Sequence, residues 1–195
     1  MSNKRKIIVF NLISLDGFFA GVDGNIDWHN VDDEFNDFAV EQTASFGGII
    51  FGKITYKMFE DFWPKAMDDS KMSPEDKKIG HIINDIWKLV FSKNLKDVTW
   101  KNSKLYHKID PKEVKKWKEY DGKDLVIFGS GTIVTQFANL GLIDEYRLLV
   151  NPIVLGKGKS FWKDVKETLK LKLLETRRFK NGNVLLTYAP IYKNK

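Results

Sequence analysis

Four short apolar runs limit the fold most: "KIIVFNLIS" (6–14), "GGIIFG" (47–52), "WKLVFS" (87–92) and "DLVIFG" (124–129). Their Ile, Val and Phe content reads as β-strand, the first and last buried on both sides of a sheet. Helical patterns stand between them. Phe35, Phe38, Ala39 and Phe46 keep helical spacing from Asp32 to about Ser45, with acids in the first turn, where the helix dipole favours them. "KITYKMFEDFW" reads as a helix that stops before Pro64, Ser73-Pro74 opens a helical turn, and "PKEVKKWKEY" and "TIVTQFANLGLI" complete the set, the last ending near Gly141. Lys93–Asn102 follows neither period. "EYRLLVNPIVLG" is a strand interrupted at Asn151-Pro152, and "LKLLETRRFKNGNVLLTYAPI" reads as two strands about an Asn181-Gly182 turn. Strands alternating with helices and closed by an antiparallel hairpin predict an α/β fold, a mixed sheet with helices on both faces.

Composition narrows the class. A chain of 195 residues, 43% apolar, with 14 Phe and 6 Trp, supports one domain over residues 1–195 with a sizeable core. Zero cysteines exclude disulfides, thiolate metal sites and cysteine nucleophiles, and His29, His81 and His107 lack ligand spacing, so no metal is expected. No apolar segment approaches a membrane span, and the start lacks a secretory signal, so the expected location is cytoplasmic. The net charge of +6, from 32 Lys and Arg against 26 Asp and Glu, is interleaved with acids as on a solvated face. No aromatic-basic RNA motif accompanies it, so a small polyanion is the expected partner rather than nucleic acid.

Three strand ends share one chemistry. In open α/β sheets ligands sit beyond the carboxyl ends of strands, where helix N-termini present amide donors. In "IIFGKITY", Gly52 permits close backbone approach, Lys53 supplies a cation, and Thr55 either caps the helix or bonds an anion. "LVFSKN" ends in Ser92 and Lys93, and "VIFGSGT" places Gly129, Ser130, Gly131 and Thr132 between strand and helix. Each alone is equally a turn, a cap or a solvent-facing strand end. Together, a glycine turn and two lysines suit the pyrophosphate and extra phosphate of NADP(H). The Rossmann fingerprint is absent, because the third glycine of its motif would fall at Val134.

With these residues assembled, the chain resembles the dihydrofolate reductase-like superfamily, specifically the C-terminal reductase domain of bacterial bifunctional riboflavin-pathway deaminase-reductases. "SLDG", "GKITY", "FSK", "VIFGSGT", "IDEYRLLVNPIVLGKGKSFW" and the final hairpin match in order, from about Lys6 to Pro190. The resemblance implies a three-layer α/β/α fold around a mixed, mostly parallel sheet with a C-terminal antiparallel hairpin. It also implies NADPH along the strand ends, hydride transfer to a heterocyclic or sugar-derived substrate, and a homodimer. Carried over, Gly52, Lys53 and Thr55 resemble the pyrophosphate and adenosine-phosphate contact, Ser92 and Lys93 the clamp for the ribose 2′-phosphate, and Gly129–Thr132 the loop under the pyrophosphate. Asp16 falls beside the nicotinamide and substrate region and, directly or through a water it orients, is the expected proton donor. Two departures matter. Phe18 stands where riboflavin-pathway reductases carry Lys or Arg, and a cysteine-free chain has no deaminase zinc motif.

Three further residues are candidates on the substrate side. Asp33, five residues after Trp28, is reminiscent of the acidic helix of folate enzymes and equally a helix-start acid. Glu145 suits either a substrate hydroxyl or amine, or a rim salt bridge with Arg147. The long loop around Phe18–Trp28 is a suitable lid, its aromatics covering the reacting pair or filling the core edge. The leading expectation is an NADPH-dependent oxidoreductase with a pterin, folate or ribosylamino-pyrimidine-like substrate. The alternative is a non-catalytic NADPH or small-ligand binding protein on the same fold.

Overall fold

The computed structural model of the chain describes residues 4–192. Its strands are β1 (Ile7–Ser14), β2 (Phe46–Gly52), β3 (Trp87–Phe91), β4 (Ser103–Tyr106), β5 (Asp124–Phe128), β6 (Glu145–Asn151), β7 (Lys170–Arg178) and β8 (Val184–Ile191). They form an eight-stranded sheet in the order β4-β3-β2-β5-β1-β6-β8-β7. The helices are α1 (Asp33–Ala44), α2 (Lys53–Ala66), α3 (Pro74–Asp85), α4 (Pro111–Trp117) and α5 (Gly131–Asn139). The fold is thus α/β, mostly parallel, with an antiparallel C-terminal hairpin, as the alternating pattern predicts. The described residues divide into two compact units, one of Lys4–Arg5 and Asp32–Val126, the other of Lys6–Val31 and 127–192.

In the first unit β2, β3 and β4 pair in parallel, Gly52 standing opposite Phe91 and Phe91 opposite Tyr106. Their buried faces carry Ile49, Ile50, Phe51, Val90 and Phe91, and the helices contribute Phe35, Phe38, Tyr56, Ile79 and Ile83. Helix starts follow local chemistry. The Asp32 carboxylate accepts from the Phe35 amide at 2.9 Å and opens α1. Ser73 Oγ accepts from the Asp76 amide at 3.0 Å and, with Pro74 in the first turn, opens α3. One expectation differs from the structure, and one element was missed. Helix α2 runs through Pro64 to Ala66 rather than stopping before it, because the missing N–H affects only the carbonyl of Glu60 when barely one turn remains. Strand β4 was not legible: its four residues have too short a pattern, and pairing with β3 makes the strand.

In the second unit β1 and β6 are parallel, β6 and β8 antiparallel, and β8 and β7 antiparallel with a register shift between Leu173 and Glu175. The expected Asn181-Gly182 turn joins β7 to β8, with Gly182 at φ 91°. Helix α5 buries Ile133, Val134 and Phe137, and the core adds Ile7, Val9, Tyr146, Leu149, Phe161 and Phe179. No helix among the described residues is long and apolar enough to cross a membrane.

Candidate active site

The turn from β5 into α5 has the most distinctive backbone. Gly129 lies at φ 54° and Ser130 at φ 52°, ψ 53°, two successive left-handed residues, of which only the first is free of a Cβ. A non-glycine residue there costs about 1–2 kcal/mol. The Ser130 carbonyl accepts from the Ile133 and Val134 amides at 2.7 and 3.0 Å and so starts the helix. No side chain caps this N-terminus. The turn is tethered from beneath, the Gly129 amide donating to Asn11 Oδ1 at 2.7 Å. Gly131 is fixed by crowding, since a Cβ there would stand 2.7 Å from the Phe19 ring. The structure therefore gathers Gly129, Ser130, Gly131 and exposed Thr132 at one helix start, whose amides and dipole favour an anion.

The carboxyl end of β1 is braced by Asp16. Its Oδ1 accepts from Ser14 Oγ at 2.6 Å and from the Leu155 amide at 3.1 Å, and its Oδ2 from the Gly156 amide at 2.7 Å. The Ser14 hydroxyl above all, with those two amides, holds the Asp16 carboxyl below its ordinary value. An ionised, thrice-bonded carboxylate has no proton to give at neutral pH. Of the two expectations for Asp16, direct proton donor and orienter of a water, the geometry removes the first.

Beyond Asp16 the loop to Asn30 is pinned at both ends. Phe19 donates to the Lys159 carbonyl at 2.9 Å, Lys159 donates back to Ala20 at 2.8 Å, and the Phe19 ring stacks on Phe161 with centroids 5.7 Å apart. At the other end the Asn30 amide donates to Asn151 Oδ1 at 2.8 Å, and Asn183 Nδ2 donates to the Asn30 carbonyl at 2.6 Å. Between these anchors Val22 and Ile26 are exposed, as on the tip of a lid. Phe19 fills the core edge. Trp28 stays half-buried in the loop, its indole N–H bonded to the Asn25 carbonyl at 3.2 Å and its ring edge-on to His29. Burial pushes the His29 imidazole down to about 4, so it is neutral at pH 7.

Glu145 is a correction. It opens β6, opposite Ile8 near the start of β1, whereas Ser14 at the end of β1 pairs with Asn151. Six residues of strand separate the two levels, roughly 20 Å, so Glu145 lies at the amino end and not at the carboxyl end, where open α/β sheets hold ligands. The side chain is buried, and its oxygens accept from Lys6 Nζ at 3.0 Å and Arg147 Nε at 2.7 Å. Burial opposes the charge, but the Arg147 guanidinium and Lys6 ammonium outweigh it and hold the carboxyl below its ordinary value. The salt-bridge reading holds, and a substrate contact at Glu145 does not.

In the first unit the parallel register of β2 and β3 brings two candidate ends to one level. Gly52 and Phe91 are opposite each other, so Lys53 and Ser92-Lys93 leave adjacent strands side by side. Both lysines are exposed. Gly52 occupies the N-cap of α2, and no side chain caps that helix; Thr55 is buried one turn in and does not serve as the cap. Ser92 Oγ accepts from the Asn94 and Leu95 amides at 3.2 and 3.0 Å, a serine turn that leaves its hydroxyl hydrogen directed elsewhere. Asp33 is exposed in the first turn of α1, beside the Asp32 cap, the place of a helix-start acid.

The profile of one family, the RibD C-terminal domain, matches residues 5–185. The chain belongs to that family. It is 34% identical over 197 residues to the uncharacterized protein YyaP of Bacillus subtilis, covering 95% of each chain. Its fold is similar to the crystal structure of a putative riboflavin biosynthesis protein from Shewanella, with a TM-score of 0.69, 21% identity and coverage of 96% of this chain and 99% of that one. It is also similar to the dihydrofolate reductase of Enterococcus faecalis complexed with NADP(H), with a TM-score of 0.61, 12% identity and coverage of 95% and 96%. Family membership supports a reductase role. Sequence reasoning missed Asn11, Asn30, Asn151 and Asn183. A lone amide inside the "VFNLI" run was the available signal for the first, and the asparagines at the hairpin turn for the last.

Proposed function

We propose that this protein is an NADPH-dependent reductase that transfers hydride to a small heterocyclic or sugar-derived substrate. The observation that carries the reading is the β5–α5 turn, with two left-handed residues ahead of a helix start that no side chain caps. Such a start suits a pyrophosphate, which needs neutral amide donors. In this reading Gly129, Ser130, Gly131 and Thr132 bind the pyrophosphate. Gly52, Lys53 and Thr55 contact the pyrophosphate and the adenosine phosphate, and Ser92 and Lys93 bind the ribose 2′-phosphate. The two lysines leave adjacent strand ends at one level, as a doubly charged phosphate requires.

The nicotinamide supplies the hydride when bound, and the protein supplies orientation and exclusion of water. The pinned loop carrying Trp28 covers the substrate side. Asp16 holds the 155–156 segment against the end of β1, and its charge orients the water that protonates the product. Phe18 in place of a cation turns specificity away from sugar phosphates. A cytosolic homodimer belongs to the same proposal; light scattering decides the oligomeric state.

The test is a titration with NADPH and NADH followed by tryptophan fluorescence. Absorbance at the reduced-nicotinamide band is then followed with pterins, folates and ribosylamino-pyrimidines. Saturable binding with preference for NADPH, and turnover with one of these substrates, are expected. Absence of NADPH binding overturns the proposal. Binding without turnover on any of them leaves the second reading, a cofactor-binding protein without catalysis. The bonding of both Asp16 oxygens, which leaves that turn without an acidic proton, favours that reading.

A further inference from the structure

The side chain of Asn11 is 6% exposed, in the middle of β1 and among Ile7, Ile8, Val9, Phe10 and Ile13. A buried strand position of this kind is ordinarily apolar, because an amide brings three or four hydrogen-bonding sites that must be met. Here they are not. Asn11 Oδ1 accepts from the Gly129 amide at 2.7 Å, while Nδ2 is fully buried with no partner among the described residues. The Gly129 bond also fixes which end of the amide is oxygen, since an N–H must face an acceptor. An orientation that serves Gly129 while leaving Nδ2 unpaired serves the turn and not the strand.

We infer that Asn11 is a positioning residue for the anion-binding turn. It holds the Gly129 amide so that Ser130 stays left-handed and the first amides of α5 point outward. The inference rests on the proposed cofactor role of that turn. The Gly129 amide is held from beneath by a side chain on another strand, 118 positions away in sequence. Without the tether, the Gly129 amide loses its side-chain acceptor. Replacing Asn11 by Leu keeps the branched shape in apolar surroundings and removes the Oδ1 acceptor together with the unpartnered Nδ2 donor. Replacing it by Asp keeps the acceptor and, when ionised, places a negative charge under a site for anions.

The experiment compares wild type, N11L and N11D by NADPH titration at pH 5 to 8, with circular dichroism for folding and NMR for Gly129 and Ser130. The φ-dependent amide coupling of Ser130 and the hydrogen exchange of the Gly129 amide report the turn without any ligand. In N11L the expected results are loss of Gly129 protection, a Ser130 coupling that leaves the left-handed value, and NADPH affinity lower by at least tenfold. In N11D the turn is retained, and NADPH affinity is weak at pH 8 and recovers as the pH falls and the carboxyl neutralises. A solely structural amide would change stability without that pH-dependent recovery. If N11L keeps both NMR signatures, the inference is overturned, whether or not NADPH binds. If N11L loses them but binds NADPH as tightly as wild type, it is overturned as well. If wild type itself does not bind NADPH, the cofactor proposal fails, and the NMR comparison still decides whether Asn11 sets the turn.

Discussion

Replacing Gly131 by Ala tests the physical link between the start of α5 and the loop after β1. Gly131 has no unusual φ, so any cost is steric. The new Cβ would lie 2.7 Å from Phe19 Cε1 and 2.9 Å from Phe19 Cζ, with Phe161 Cβ at an ordinary 3.6 Å. A ring edge ordinarily yields, but this ring is stacked on Phe161, and its backbone is bonded to Lys159. Overpacking of this kind costs about 1–3 kcal/mol. For a chain of this size that lowers Tm by about 2–12 °C. The clashing atoms are ones that leucine lacks, which gives a sharper check. F19L alone loses some packing, about 1 kcal/mol, but G131A and F19L together should cost less than their sum by about 1 kcal/mol in a double-mutant cycle read by urea unfolding. Strictly additive values would refute the contact as the cause. NADPH affinity measured on the same variants should fall in G131A and recover partly in the double mutant, because the clash with the ring pushes the start of α5 away.

Lys88 is fully buried, and its ammonium donates to the Asn84, Ile86 and Lys101 carbonyls at 2.7, 3.1 and 3.1 Å, 4.3 Å from the centre of the Trp100 ring. K88M removes that donor from three carbonyls and should cost about 3 kcal/mol by urea unfolding at pH 7. Burial pushes Lys88 down to about 8 from about 10.5, so across that window the unfolded chain holds more protons. Wild-type stability relative to K88M should therefore rise with pH from about 8 to about 10.5; a flat difference would refute the shift. Asp16 is shifted the opposite way, below 3.8, so its stabilisation is present above that value and is lost as the pH falls through the folded value. D16N should be less stable than wild type at pH 7 and indistinguishable in acid, and no turnover pKa near neutrality should vanish with it. K53A and K93A should each weaken NADPH binding by about tenfold or more, as loss of a charge-assisted phosphate contact does. In K93A NADH binding should be nearly unchanged, and equal losses for both cofactors in that variant would refute the 2′-phosphate assignment of Lys93.

The fold was legible because its signals are local. The apolar runs of β1, β2, β3 and β5 are short and bounded by glycine or serine, and the Asn181-Gly182 turn names its own hairpin. What escaped depends on pairing. Nothing in "SKLY" marks β4 as a strand, yet it satisfies the open edge of β3. Lys88 is the converse. In "WKLVF" a charged residue next to an exposed Trp87 suggests solvent, and the chain buries it instead because three carbonyls near the end of α3 and the Lys101 turn converge on one ammonium. No window of sequence contains that convergence.

At the site the same division holds, and it separates residue type from residue role. Glycine, serine and lysine at strand ends carry the proposal of an anion site, but Glu145 had the right type and the wrong end of the strand. Its position was decided by direction: a residue that precedes the apolar run of β6 lies at the amino end of a strand parallel to β1, while Asp16, which follows β1, lies beyond its carboxyl end. Asp16 likewise had the type of an acid and the surroundings of a brace, three donors turning a possible proton source into a fixed anion. Asn11 shows the reverse case, a type that looked unremarkable within an apolar strand until its one partner proved to be the turn on which the cofactor reading depends. Type is written in the sequence one residue at a time. Role is set by which donors the fold brings to that residue, so a variant that removes a donor, such as Ser14→Ala beside Asp16, alters the role while leaving the named residue in place.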